Sequence, residues 1–370
     1  AVAVVEDVLR EAVRSGELSE EIDIPLTPLP ADGTSPEPQS GDRTTMAQPY
    51  EAPTIPLDDP KGAEHVEHAT EVGASAQAVY RLLADLGNWP RIFGPFVHLE
   101  VLSTDGATER IGMWTTDGDR VEHWVALRRL DEEGLRIDFR PETVPPGLES
   151  MERSWVVEPV SRQTCVARLV HTYRVKADQD GPAAVARTVE EISRAELTAV
   201  KAAAELDNTS PELLLVLEDR VDIAGPAHDV YAFLYAAEHW SERLPHVARV
   251  EVRQDSSGLQ LLEVDTRESR GGVFTTRTAR VGFPDRALVY KQLALPPLGS
   301  SHHVSWRITE TATGAAVHSE QVVVVRPAGV TELFGAGSDP EEATSFIRRE
   351  LHAKVRLVLD GAKEYVEARH

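Results

Sequence analysis

Two adjacent histidines, His302 and His303, follow the run Pro-Pro-Leu-Gly-Ser-Ser at 296–301. Imidazole is the side chain whose ordinary pKa suits proton transfer near neutrality. On a regular strand the two must face opposite sides, so one of them is a candidate acid or base. The alternative is a pair of partly exposed loop histidines. Ser301, just before them, can donate a hydrogen bond, or serve the backbone as its counterpart Ser150 would. Other groups offer less. His65 and His68 fall on opposite faces of a strand and make a poor metal pair. Cys165 is the only cysteine, which rules out an intrachain disulfide and a cysteine-built metal site. There is no glycine-rich phosphate loop, and neither a metal nor a cofactor is expected.

The elements that must carry these residues come in two sets. VGASAQAVYRLLADLGNW (72–89) returns as IAGPAHDVYAFLYAAEHW (223–240), 151 residues later. At the same spacing Pro145-Pro146 falls on Pro296-Pro297, and Ser154-Trp155 on Ser305-Trp306. Identity held at one spacing over so long a span indicates a duplicated domain of about 150 residues. His302 and His303 then stand where the first copy has Met151 and Glu152.

The chain has 370 residues and a formal net charge of −23. That charge argues against non-specific binding to nucleic acid or anionic membrane. No apolar run approaches the ~20 residues of a membrane span. The beginning of the chain lacks the basic stretch of a secretory signal. A reducing cytoplasm fits the single cysteine.

Residues 4–16 have the spacing of a short amphipathic helix, and nine prolines between Pro25 and Pro60 mark an extended linker or tail. Residues 1–60 are therefore set apart from two domains, 61–209 and 210–370. Each domain reads as a strand, a helix capped at Ser75 in the first copy, a corner at Trp89 or Trp240, and strand-like runs broken by turn signals. A long helix closes each, over 183–206 and 341–368. Between the last strand and the final helix, 326–339 reads as a loop. Hairpin connections make the sheets antiparallel. A sheet with one apolar face must cover it, and only the long helix is large enough. The fold class is α+β: two tandem sheets, each curved around a C-terminal helix with a cavity between them.

This order of elements resembles the helix-grip fold of the START-like superfamily. The segments NWPRIF (88–93), WVALRRLDEEGLRIDFR (124–140) and PPGLESMERSWVVEP (145–159) resemble bacterial aromatic polyketide aromatase/cyclases of the di-domain type. The resemblance covers about 61–370. It implies first-ring aldol cyclisation and aromatisation of a poly-β-ketone carried by an acyl carrier protein, after one ketoreduction. It also implies an aromatic residue at Trp89, a tyrosine seven residues on, and an arginine deep in the pocket. Here the tyrosine position is Phe96 in the first copy and Val247 in the second. The arginine falls on Arg128 and Arg280. The 151 spacing pairs Arg280 with Arg129 instead, but alternation puts Arg128 on the face of Trp124. Arg280 likewise shares a face with Phe274, Thr276 and Thr278.

A guanidinium is always charged and would stabilise a developing enolate or alkoxide in a low-dielectric cavity. Pocket shape would select one cyclisation among many. Arg128 and Arg280, with His302 and His303, are the catalytic candidates. Trp89, Phe96, Trp124, Met151, Trp240, Phe274, Thr276, Thr278 and Ser301 are the substrate-binding candidates. Unequal polar sets in the two copies point to a division of labour. The competing readings are a non-catalytic carrier of a hydrophobic ligand, which needs an almost wholly apolar cavity, and an assembly protein docked through residues 1–60. An acidic carrier protein would need a local basic rim, for example around Arg136 and Arg140. Other synthase components are further candidate partners.

Overall fold

In the computed structural model the described residues are 63–117, 120–145, 147–176, 182–254, 259–267, 272–295, 298–334 and 340–370. The helix expected over 4–16 and the proline-rich stretch lie outside them. The first half runs β1 (Glu64–Val72), α1 (Ala76–Ala84), a 3-10 turn, α2 (Trp89–Ile92), β2 (Phe96–Asp105), β3 (Thr108–Asp117), β4 (Arg120–Asp131), β5 (Arg136–Pro141), β6 (Leu148–Pro159), β7 (Cys165–Val175) and α3 (Pro182–Thr209). The second half runs β8 (Leu214–Ile223), α4 (Ala227–Tyr235), a 3-10 turn, α5 (Trp240–Arg243), β9 (Val247–Gln254), β10 (Gln260–Arg267), β11 (Val273–Phe283), β12 (Ala287–Gln292), β13 (Gly299–Thr311), β14 (Gly314–Val325), α6 (Pro327–Phe334) and α7 (Pro340–Glu367). The order repeats except for α6, which corrects the loop expected at 326–339. Pro327 sits at its first position, where proline is tolerated, and Val330 buries its inner side.

Each half is one antiparallel sheet of seven strands, ordered β1-β7-β6-β5-β4-β3-β2 and β8-β14-β13-β12-β11-β10-β9. Alternation sets the faces. On β7, Cys165, Ala167, Leu169, His171 and Tyr173 are buried beneath α3, while the residues between them are partly exposed. α1 starts where Ser75 Oγ accepts a hydrogen bond from the Ala78 N–H at 3.3 Å. It stops at Asp85. The Asp85 carboxylate takes the Gly87 N–H at 2.9 Å and turns the chain into the 3-10 segment.

Leu197, Val200 and Ala204 of α3 pack on Leu83, Ile137, Trp155 and Leu169 at the closed end of the first grip. Val355, Leu359 and Ala362 of α7 do the same against Leu234, Leu288 and Trp306 in the second. Trp155 and Trp306 hold equivalent places and are both fully buried. Truncating either to alanine would cost about 3–5 kcal/mol.

The halves meet through the outer faces of their sheets. Val97, Trp114 and Val121 form one buried cluster with Leu259, Leu261, Ala279 and Val281. One glycine has a steric task here. A Cβ on Gly282, on the inner face of β11, would lie 2.4 Å from the Tyr231 hydroxyl and 2.6 Å from the Tyr235 ring. Its absence lets that stacked ring pair rest on the strand beside Arg280.

Candidate functional site

Strand register decides which groups meet inside each grip. β4 places Arg128 opposite Glu109 of β3 and Phe139 of β5. β11 places Arg280 opposite Gln260 of β10 and Tyr290 of β12. Arg280 thus holds the place of Arg128 in the second sheet. Arg129 points to the other face and bonds Asp138 at 2.8 Å.

The two arginines differ in what neutralises them. Both face inward and are nearly inaccessible, at 3 % and 2 %. Arg128 donates from Nε and Nη2 to Glu109 Oε2 at 2.9 and 2.5 Å, and from Nη1 to the Ala84 carbonyl at 2.8 Å. Its charge is compensated. Among the described residues no carboxylate bonds Arg280. Its Nη2 donates to the Leu234 carbonyl at 2.6 Å, its guanidinium lies 5.2 Å from the Trp240 ring, and Nε and Nη1 have no acceptor among the described residues. Burial lowers its pKa to about 10, so it remains a cation at neutral pH. In a low-dielectric interior such an unbalanced charge projects a strong positive potential. The residue at the place of Glu109 is Gln260, whose amide is turned to Gln254 at 2.9 Å.

Toward the open end of each grip the inner face is only partly covered. In the second half Phe274, Thr276, Thr278, Tyr290, Gln292 and His302 face the helix yet stay partly accessible. Lys354 of α7 reaches over the Phe274 ring at 5.5 Å. In the first half Phe96, Met113, Trp124, Met151 and Arg153 do likewise. Trp89 is buried beside Phe93, Phe96 and Phe139. Its indole N–H donates to the Leu83 carbonyl at 2.8 Å, and that of Trp240 to the Phe233 carbonyl at 3.1 Å. Both tryptophans anchor their corner and also border the hollow.

The histidine pair splits. His302 faces inward, between Gln292 Oε1 at 2.9 Å from Nδ1 and Gln321 Oε1 at 3.1 Å from Nε2. Each glutamine spends its amide nitrogen on a backbone carbonyl, of Ala294 and Leu351, so both present oxygen to the ring. Burial lowers the His302 pKa to about 4. His303 and Ser301 face the other way, against the first half, where Ser301 Oγ donates to the Pro90 carbonyl at 3.4 Å. Their expected place in the pocket is corrected: a register shift between Gly299 and Ser301 and the alternation of β13 send both to the domain interface.

Sequence reasoning missed two polar sets. Tyr290 and Gln292 line the second hollow; the 151-residue spacing sets Tyr290 on Phe139, a signal that was available. In the first hollow Arg153 of β6 pairs with Glu196 of α3, and His171 Nδ1 lies 3.4 Å from Ser193 Oγ. Alternation with Trp155 pointed Arg153 inward. The expected basic rim is partly spent: Arg136 bonds Asp138 and Ser154 on the outer face, where Arg129 shares the same carboxylate. Among the described residues no group of three or more His, Cys, Asp or Glu is placed to hold a metal ion, and no helix is long and apolar enough to cross a membrane.

Comparison with known proteins agrees with this architecture. Two family models, both described as polyketide cyclase / dehydrase and lipid transport, match residues 63–205 and 223–340. The granaticin polyketide synthase bifunctional cyclase/dehydratase of Streptomyces violaceoruber is 35% identical over 323 residues, spanning 86% of this chain and 98% of that protein. The crystal structure of the di-domain ARO/CYC BexL from the BE-7585A biosynthetic pathway superposes with a TM-score of 0.78 at 42% identity, over 83% of this chain and 100% of that one. That of the di-domain ARO/CYC StfQ from the steffimycin biosynthetic pathway gives 0.74 at 31% identity, over 82% and 99%.

Proposed function

The chain belongs to the polyketide cyclase/dehydrase family and is a cyclase/dehydratase of aromatic polyketide biosynthesis, and from that premise we propose that its second hollow, around Arg280, Tyr290 and His302, carries the proton transfers of ring closure and water loss. The observation that supports this is the unbalanced buried charge of Arg280.

Ring closure begins when a methylene between two carbonyls loses a proton and becomes an enolate. Its carbon then bonds to a ketone carbon, whose oxygen takes up the negative charge. The field of Arg280 favours both anions over their neutral precursors, the differential effect that lowers a barrier. Tyr290, beside it and partly accessible, is the hydroxyl that donates to the oxygen. His302 is neutral at pH 7 and serves as the base. Its unprotonated nitrogen faces an amide oxygen, a contact that substrate replaces at little cost, and the two glutamine oxygens stabilise the imidazolium that results. In the dehydration the imidazolium proton leaves with the hydroxyl as water, and the second proton of the same carbon, lost as the ring double bond forms, returns to the Tyr290 phenolate. Thr276, Thr278, Phe274 and Trp240 bound the space in which the chain must bend.

In the first hollow, where Arg128 and Arg153 are both matched by carboxylates, Trp89, Phe96, Trp124 and Met151 supply shape. We assign it the folding of the chain that precedes bond formation. A non-catalytic carrier would need an apolar cavity, and buried guanidinium groups in both halves weigh against one. The substrate is a poly-β-ketone on an acyl carrier protein. The surplus of guanidinium over carboxylate at Arg129, Arg136 and Arg140 supports docking of an acidic carrier there.

The test is incubation of the full chain with a minimal synthase and ketoreductase, followed by identification of the ring formed. Arg280→Met is expected to abolish the aromatised first ring and leave spontaneous shunt products. An unchanged product from Arg280→Met would overturn the assignment to the second hollow.

A further inference from the structure

The aromatic wall of the first hollow is held from outside by the second half. Lys291 lies on the outer face of β12 and is buried. Its ammonium donates to three backbone carbonyls of the first half: Phe93 at 2.8 Å, Gly94 at 2.7 Å and Phe96 at 3.1 Å. These belong to the turn between α2 and β2. From the same stretch Trp89, Phe93 and Phe96 form one ring cluster with Phe139, facing the hollow. Ser301 adds its bond to Pro90 one residue past Trp89.

A tight turn leaves carbonyls short of donors, and buried ones must find them; of the three, that of Phe93 also takes the Phe96 N–H at 3.3 Å. An ammonium carries three N–H groups and no acceptor, which fits three converging oxygens. The arrangement is one-sided. The 151-residue spacing puts Arg140 at the place of Lys291, yet Arg140 stays partly exposed on the outer face of the first sheet. Among the described residues no lysine of the first half bonds the corresponding turn of the second, around Pro245. Its Pro245 and Val247 carbonyls are bonded instead by Arg267 of its own domain.

We infer that Lys291 is a positioning residue for the first hollow: it fixes the Trp89–Phe96 wall from the other domain, so that the hollow is complete only in the tandem chain. This rests on the cyclase reading and extends it to a residue that touches no substrate.

The experiment uses the full chain with Lys291→Met, Lys291→Arg and, as a control on the same interface, Arg286→Ala, which removes the exposed contact to Glu100. Amide exchange of the segment 89–97 is followed by mass spectrometry, together with the ratio of correct to misfolded rings from the reconstituted synthase. Loss of charge-assisted bonds predicts exchange in 89–97 faster by about tenfold or more in Lys291→Met. The segment 240–248 should be unchanged, and the ratio of correct to shunt rings should fall. Lys291→Arg should recover part of both. Unchanged exchange in 89–97, an equal effect from Arg286→Ala, or faster exchange with an unaltered ring ratio would each overturn the inference. The cyclase reading would survive all three, since it fails only if the unsubstituted chain directs no ring.

Discussion

Glu109 and Gln260 hold the same place in their two sheets, each directly across a strand pair from the buried arginine. Glu109 balances Arg128; Gln260 leaves Arg280 unbalanced. Gln260→Glu should therefore quench the second hollow. We expect kcat for ring formation to drop about 10²-fold, the scale of losing one oxyanion stabiliser, with no loss of thermal stability. A rate unchanged by the added carboxylate would separate Arg280 from the chemistry.

In the first hollow the same pair is structural. Glu109→Gln leaves a buried guanidinium unmatched and should cost about 3–5 kcal/mol. Glu109→Gln with Arg128→Met, which removes both charges, should recover most of that. Urea unfolding of the three proteins measures it. If the double variant is no more stable than Glu109→Gln, the pair is not the source of the cost.

Tyr290→Phe copies the first half, where Phe139 already fills the equivalent place. The fold should therefore accept it with little change in melting temperature. We expect kcat to fall about 10- to 100-fold, the lower range for a lost hydrogen-bond donor, and KM to stay nearly constant. A fall in affinity alone would mean that the hydroxyl binds the ground state only.

Four histidines are held neutral by burial: His171 and His303 with pKa values near 3, His246 and His302 near 4. Unfolded, each takes a proton near 6.5. Between 6.5 and about 4 the unfolded chain thus binds protons that the folded chain refuses. The stability they contribute is whole above 6.5 and is lost as pH falls through that window. The urea midpoint should drop across it. His246→Phe should flatten the slope by about one proton, roughly 1.4 kcal/mol per pH unit. An unaltered slope would place His246 in contact with water or a carboxylate.

If an acidic carrier docks on the outer face of the first sheet, Arg136→Glu with Arg140→Glu should weaken carrier binding at least tenfold at low salt, and added salt should shrink the difference. Titration calorimetry with the carrier alone gives the affinity without depending on turnover.

Much of the fold was legible because it was written twice. The 151-residue spacing announced two like halves, which the two sheets repeat in one strand order, and the two-residue period of β4 and β11 put Arg128 and Arg280 on the helix side. The same period could not show that Glu109 would neutralise one of them. A cross-strand partner depends on register, and the neighbouring pair β2 and β3 carries shifts between Phe96 and His98 and between Val101 and Ser103. Ser301 was lost to a shift of that kind on β13, and His303 to plain alternation along the strand. The role of Lys291 left no trace at all, because its partners are main-chain oxygens, which every residue carries.

The back-to-back packing of the two sheets fixes the itinerary of any intermediate that visits both sides. Trp114 and Leu261 lie in the partition, and two continuous layers of hydrogen-bonded backbone stand between one mouth and the other. A growing ring cannot pass straight through. It must back out and pass around the rim to enter again; for the proposed carrier-bound substrate, the arm and its point of attachment then set the order of events as much as the side chains do.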